Sequence, residues 1–195
     1  MANIDLKKRT ITSKIVYYGP GLSGKTWNLR SIHEKLEPSR KGRLSSLATK
    51  TNITAYIEVV PVRWGDFLEL DATFRLCAVP GHSIFNNTRK LLLKDTDGVV
   101  FVADSQPHRQ EANLDTLDAL KEHLDEYDLS LQTMPHVFQY NKRDLDEIMS
   151  VSAMRAELNR HGAPDFEASA KQGEGVMETL KAIVDTIGRD LRTRL

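Results

Sequence analysis

The sequence lacks the features that mark secreted, membrane-spanning and strongly charged proteins. It contains one cysteine, Cys77, which excludes an internal disulfide and favours a reducing compartment. No apolar run reaches the length needed to cross a bilayer, and the first residues form no signal-peptide core. Acidic and basic residues balance at 27 each, so no overall charge points to nucleic acid or a membrane surface. These absences predict a single cytoplasmic domain over residues 1–195, with no nucleic-acid partner and no direct membrane anchor.

Against this background, one glycine-rich segment reads GPGLSGKT at residues 19–26. It fits the pattern G-x-x-x-x-G-K-[ST] of a phosphate-binding loop between a strand and a helix. In such a loop, backbone N–H groups face the phosphates, the lysine reaches the β- and γ-phosphates, and the final hydroxyl binds Mg²⁺. The predicted phosphate-binding residues are Gly19, Gly21, Leu22, Ser23, Gly24, Lys25 and Thr26. Thr26 is also a predicted metal ligand.

A second motif, NKRD at residues 141–144, follows a predicted strand. A carboxylate at Asp144 can pair with two N–H donors on one edge of guanine, and adenine has no such pair. Asn141 is predicted to tie this loop to the phosphate loop, and the Lys142 stem to cover the base. Three residues after the last predicted strand complete the base site: Ser169, Ala170 and Lys171. The two motifs together predict that the chain binds GTP or GDP with Mg²⁺.

Strand-like and helix-like stretches alternate, which predicts an α/β fold with a mainly parallel sheet and helices on both faces. The predicted strands are 11–18, 53–62, 71–79, 98–103, 135–140 and 165–168, and the predicted helices are 25–36, 111–127, 151–160 and 176–191. The polar segment 37–52 is interpreted as a loop. The second and third strands should form one antiparallel hairpin that turns around Gly65 and Asp66. Ligands bind such sheets beyond the carboxyl ends of the strands, where both motifs fall.

These motifs and their surroundings resemble the small Ras-like GTPases, a group of P-loop NTPases, and more closely their bacterial MglA type. The resemblance extends over residues 11–187 and is strongest at 15–22, 46–49, 79–81, 88–91, 97–105 and 141–145. It implies a molecular switch that controls cell polarity in gliding and type IV pilus motility. It also implies a Roadblock-type, MglB-like activating partner, response-regulator or TPR-type effectors, and recruitment to a cell pole.

The resemblance also assigns residues that sense the γ-phosphate. A family threonine that binds Mg²⁺ and the γ-phosphate aligns with Thr54, with Thr49 and Thr51 as alternatives. Gly81 aligns with the glycine that contacts the γ-phosphate. Ala78 stands where related proteins have an acidic residue or a threonine, so one indirect hold on the Mg²⁺ ion is lost.

Two positions that carry hydrolysis in the family differ in this chain. Ile53 replaces an arginine that neutralises charge on the transferring phosphoryl group, a contribution worth ~10³–10⁵ in rate where it operates. His82 replaces a glutamine that orients the attacking water. In one interpretation hydrolysis is very slow. In another, His82 is the catalytic residue once an activating partner positions it. A third possibility is a constitutively GTP-bound scaffold without GTPase activity.

Overall fold

The structure, a computed structural model, describes residues 2–48, 56–81 and 85–194. Within these ranges eight strands form one sheet: β1 Asn3–Asp5, β2 Thr10–Tyr18, β3 Ser45–Ala48, β4 Tyr56–Phe67, β5 Leu70–Ala78, β6 Gly98–Asp104, β7 His136–Asn141 and β8 Asp165–Glu167. The same ranges contain five α-helices: α1 Lys25–Lys35, α2 Asn86–Leu93, α3 Gln110–Asp125, α4 Val151–Leu158 and α5 Val176–Arg194. The predicted α/β fold is therefore confirmed.

The sheet has the strand order β3-β4-β5-β2-β6-β7-β8, with β1 paired to β2 outside this path. Strand β2 runs parallel to both β5 and β6, and the parallel pairing continues through β7 to β8. Strand β4 is antiparallel to β5, which confirms the predicted hairpin. The pairs β1–β2 and β3–β4 are also antiparallel. The carboxyl ends of β2, β6 and β7 consequently lie side by side, which brings together the loops that follow them.

The hairpin turns later than predicted. Strand β4 continues through Gly65, and Phe67 pairs with Leu70 across a turn at Leu68 and Glu69. Both turn residues have positive φ, at 57° and 63°, as a two-residue type I′ turn requires. Gly65, at φ 90°, lies where the register shifts, so this glycine marks a β-bulge within the strand.

Some short elements were not predicted from the sequence. The interpretation of 37–52 as a loop is wrong for Ser45–Ala48, which pairs with β4 as an edge strand. This segment is short and polar, so its pairing depends on the neighbouring strand rather than on alternation in its own sequence. Helix α2 and strand β1 are also short, at eight and three residues, and α2 begins without a side-chain cap.

The core lies on both faces of the sheet, because the central strands are buried on both sides. Side chains alternate along β2, so Ile15 and Tyr17 face α1 and α5, whereas Val16 and Tyr18 face the side of the sheet that carries α2 and α3. Burying each such side chain contributes roughly 1.5–3 kcal/mol of transfer free energy. Within the part of the chain that the structure describes, no helix has the length and apolarity needed to span a bilayer.

Candidate nucleotide-binding site

The phosphate loop connects the end of β2 to the start of α1, and two of its glycines have no room for a side chain. Gly19 has φ 150°, and a Cβ atom there would lie 2.2 Å from the Val102 carbonyl oxygen. Gly24 has φ 100°, and a Cβ atom there would lie 2.1 Å from Asn141 Nδ2. These close approaches explain why the motif needs glycine at both positions.

Lys25 opens α1 and is 5% exposed, with its ammonium group inside the loop. Its Nζ donates to the Gly19 carbonyl at 2.8 Å and to the Pro20 carbonyl at 2.6 Å. Burial, and then the nearby charges of Arg89 and Arg109, lower the pKa of Lys25 to about 7. A phosphate group beside this lysine would supply the negative charge that its surroundings lack.

Gly81 comes to the same point from the loop after β5. A Cβ atom on Gly81 would lie 2.4 Å from Gly21 Cα and 3.0 Å from Lys25 Nζ. Thr26 lines a cavity of about 290 Å³ together with other phosphate-loop residues and with the segment 78–81 that ends at Gly81. The structure thus brings Gly81, Lys25 and Thr26 to one end of the phosphate loop.

The guanine-motif loop is tied to the phosphate loop by Asn141, which is almost fully buried. Its Nδ2 donates to the Ser23 carbonyl at 2.7 Å, and its Oδ1 accepts from the Ala170 backbone N–H at 2.8 Å. Asp144 accepts a hydrogen bond from Ser169 Oγ at 2.7 Å. Three loops that are distant in sequence are therefore joined around one asparagine side chain.

A second cavity, of about 370 Å³, lies beside these loops. It is lined by the remaining predicted base-site residues, including Lys142 and Lys171. Leu22, Gly24 and Trp27 line this cavity and also the one at the phosphate end. The two cavities therefore adjoin along the phosphate loop, one beside Gly81 and the other beside Asp144, and we refer to them together as the groove.

Comparison with known proteins agrees with this geometry. The model of the ADP-ribosylation factor family matches residues 45–187. The mutual gliding-motility protein MglA of Myxococcus xanthus (strain DK1622) is 44% identical over 192 residues, which cover 98% of each chain. The chain belongs to the small GTPases of the ADP-ribosylation factor family. Its resemblance to the MglA type is confirmed, as is its Ras-like fold.

Membership of this family implies a guanine nucleotide and usually Mg²⁺, and the donor groups of this small GTPase fit both. Mg²⁺ is commonly held by one or two protein groups together with substrate phosphates and water. Thr26 supplies a hydroxyl at the phosphate end of the groove. Among residues 2–48, 56–81 and 85–194, no cluster of three or more His, Cys, Asp or Glu side chains forms a metal site by itself.

Sequence reasoning missed several residues of this GTPase's groove. These residues are Asp104, Gln106 and Arg109. Asp104 contacts a predicted base-site residue, because its Oδ2 lies 2.6 Å from the Nζ of Lys142, which has φ 70°. Asp104 ends β6, and Gln106 beyond it lines the base cavity. Their position after the carboxyl end of a parallel strand was the signal that could have identified them. Arg109, which was also not predicted as a site residue, donates from Nη2 to the Gly21 carbonyl at 2.6 Å.

Most of the positions that the resemblance assigns to the γ-phosphate, Mg²⁺ and hydrolysis lie outside the described residues. Thr54, its alternatives Thr49 and Thr51, the substituted Ile53 and the candidate catalytic residue His82 all lie outside the described residues. Their predicted roles stay predictions. Ala78 is described: it is buried at the end of β5, where it pairs with Glu58 of β4 and lines the phosphate end of the groove.

Proposed function

We propose that residues 1–195 form a single guanine-nucleotide switch domain that controls cell polarity and motility. The name of its MglA relative indicates a role in gliding motility for that protein. The observation that supports this most directly is the Asn141 side chain, which joins the two nucleotide motifs beside the groove. In this proposal the domain acts in the cytoplasm and is recruited to a cell pole.

The groove suggests how a nucleotide would be held. Lys25 would leave the carbonyls of Gly19 and Pro20 to pair with the β- and γ-phosphates, while the backbone N–H groups of the loop face the same phosphates. Asp144 would accept from the two N–H donors of guanine. Bound Mg²⁺ would neutralise phosphate charge, with Thr26 and the proposed Thr54 as its protein ligands.

The phosphate end of the groove offers a means of switching. Gly81 lies directly against Gly21 and Lys25, so a γ-phosphate that occupies this end must interact with the Gly81 segment or displace it. That segment leads into α2, and β5 before it pairs with β4. A change at Gly81 would therefore reach surfaces that partners can bind. The proposed partners are an MglB-like Roadblock protein and response-regulator or TPR-type effectors of motility.

We propose that intrinsic GTP hydrolysis is very slow, because Ile53 and His82 replace the arginine and glutamine of the family. His82 would then act when an activating partner positions it. A constitutively GTP-bound scaffold without GTPase activity is the alternative.

Single-turnover hydrolysis, measured with and without an MglB-like protein, separates these possibilities. Stimulation that disappears in His82→Ala supports the first, and retention of intact GTP under both conditions supports the scaffold.

The identity of the nucleotide that the chain prefers is the first test of the proposed function. The chain should bind GDP far more tightly than ADP or XDP in fluorescent-nucleotide displacement. In Asp144→Asn the carboxylate becomes an amide, which can donate to the C2 carbonyl of xanthine but no longer accepts both guanine donors. We expect this variant to prefer XDP over GDP, with an affinity change of about tenfold or more for each charged hydrogen bond lost. Equal binding of GDP and ADP by the unmodified chain would refute the proposed function.

A further inference from the structure

A buried carboxylate at the end of β6 lies between the two loops of the groove. Asp104 has no exposed surface, and Asn113 of α3 fixes its backbone through two hydrogen bonds of 2.9 Å, one to its N–H and one to its carbonyl. Burying an ionised carboxylate is unfavourable unless charged or hydrogen-bonding groups compensate it. The partners of this side chain therefore decide how it is held.

The two oxygens of Asp104 share the Gln106 side-chain amide, which lies 3.1 Å from Oδ1 and 3.3 Å from Oδ2, but their other partners differ. Oδ1 accepts from the Gln106 backbone N–H at 3.2 Å and from its side-chain amide at 3.1 Å. Oδ2 lies 2.6 Å from Lys142 Nζ and 3.6 Å from Arg109 Nε, so two cations share it. Gln106 and Lys142 both line the base cavity. One carboxylate thus organises two groups of the base site together with an arginine that lies outside it.

Arg109 extends from this carboxylate to the phosphate loop. It ends the short 3₁₀ helix Pro107–Arg109, which directly precedes α3. Its Nη2 donates to the Gly21 carbonyl at 2.6 Å, a short, charge-assisted hydrogen bond. Gly21 is also the residue that Gly81 approaches most closely. Arg109 therefore holds a peptide of the phosphate loop that lies against the segment leading to α2.

From these contacts we infer that Arg109 is a positioning residue, which couples recognition of the base to the order of the phosphate loop through Asp104. The inference rests on the proposed function, because it takes the cavity beside Asp144 as a guanine site. A bound base restrains Gln106 and Lys142, which in turn fix both oxygens of Asp104. The fixed carboxylate then orients Arg109 onto the Gly21 carbonyl.

This connection is separate from the Asn141 tie. Asn141 links the loops through neutral hydrogen bonds to Ser23 and Ala170, whereas the Asp104 contacts are ionic and end at Gly21. Because coupling free energies are reciprocal, an ordered phosphate loop must also favour binding of the base. Loss of Arg109 should consequently weaken a base contact that Arg109 never touches.

Comparison of GDP with IDP isolates that base contact, because IDP lacks only the exocyclic amine of guanine. Arg109→Gln keeps most of the side-chain length but removes the charge. In this variant we expect GDP and IDP both to bind more weakly, and the ratio of the IDP Kd to the GDP Kd to fall about fivefold. Arg109→Lys, which restores the charge, should recover part of the ratio. Both Kd values are measured by displacement of a fluorescent nucleotide.

Arg143→Gln is the matched control. Arg143 follows Lys142 in the chain, but its Nε lies 2.8 Å from Glu167 Oε2 and its Nη1 donates to the Met149 carbonyl at 2.7 Å. This variant should keep the ratio. If Arg109→Gln weakens GDP and IDP by the same factor, the coupling is refuted. If neither affinity changes, Arg109 has no positioning role. Failure of the unmodified chain to prefer GDP over ADP would instead refute the proposed function.

Discussion

The low pKa of Lys25 predicts that nucleotide affinity depends on pH in a range where an ordinary lysine would show no change. The nucleotide-free chain loses half of its Lys25 charge at a pH of about 7. Phosphates beside the ammonium favour its charged form and raise the pKa toward the ordinary value of 10.5. Nucleotide binding above this pH must therefore take up a proton.

The size of the effect follows from the fraction of the free chain that carries the proton. Between pH of about 7 and about 8.5, that fraction falls from roughly one half to roughly 3%, so GDP affinity should fall about 15-fold. A lysine with the ordinary pKa of 10.5 would lose about 1% of its charge over the same interval. GDP is a suitable ligand, because its terminal phosphate, with a second pKa of about 6, is largely ionised over this range.

The assay is displacement of a fluorescent nucleotide across this pH range, together with calorimetry in HEPES and in Tris. The difference in heat between the two buffers should correspond to uptake of roughly 0.9 proton at pH of about 8. Lys25→Arg, which stays charged, should bind with little pH dependence. Lys14→Gln is the control, because Lys14 is a partly buried lysine in β2, away from the groove, whose Nζ donates to the Lys94 carbonyl. It should keep the pH slope.

Stability of the nucleotide-free chain should change with pH in the opposite direction. The unfolded chain keeps the Lys25 proton up to its ordinary pKa of 10.5, whereas the folded chain releases it near 7. Between these values the unfolded state binds more protons, so this group makes folding more favourable as pH rises. The free energy of unfolding relative to Lys25→Met should rise by up to about 1.4 kcal/mol per pH unit.

A GDP affinity that changes less than about twofold between pH of about 7 and about 8.5 would refute the argument from the Lys25 pKa. A GDP affinity of Lys25→Arg that fell with pH as steeply as that of the unmodified chain would refute it as well.

Two further substitutions test the groove. Gly24→Ala places a Cβ atom against Asn141 at a position with left-handed backbone, so GDP binding should weaken about tenfold or more. Gly162 also has positive φ but open space around it, so Gly162→Ala should leave the GDP affinity unchanged. Equal affinities in titrations of both variants would contradict the packing argument. Trp27 is 48% exposed and lines both parts of the groove, so Trp27→Phe should abolish the change in tryptophan emission on GDP binding, while Trp64→Phe keeps it. A signal that survives in Trp27→Phe would place Trp27 away from the ligand.

Local motifs predicted which loops come together at the candidate site, because each motif encodes a physical requirement of its own loop. The close approaches at Gly19 and Gly24 exclude any side chain, so the glycine pattern is visible without a partner segment. The Asn141 motif works similarly, since its side chain satisfies backbone groups that would otherwise be buried without hydrogen bonds. Long strands such as β2 and β6 were predicted because their apolar runs match burial on both faces.

Elements that depend on their neighbours were harder to predict. Gly65 resembles a turn residue in sequence, but the pairing of β4 with β5 places it in a bulge and moves the turn to Leu68 and Glu69. Neither of those residues favours positive φ by itself, so the register of the hairpin imposes it. The edge strand β3 likewise follows from the exposed edge of β4 rather than from its own composition.

The sequence by itself determined that this chain is an α/β protein of the small GTPases, with the motifs of a phosphate loop and of a guanine-binding loop. These properties depend on short, contiguous patterns. Only the tertiary structure decided that Asp104 lies beneath both loops and that Arg109 donates to the carbonyl of Gly21, 88 residues away. The physical reason is that a buried charge is compensated by whichever cations the sheet brings beside it, and strand order, not sequence distance, determines which these are.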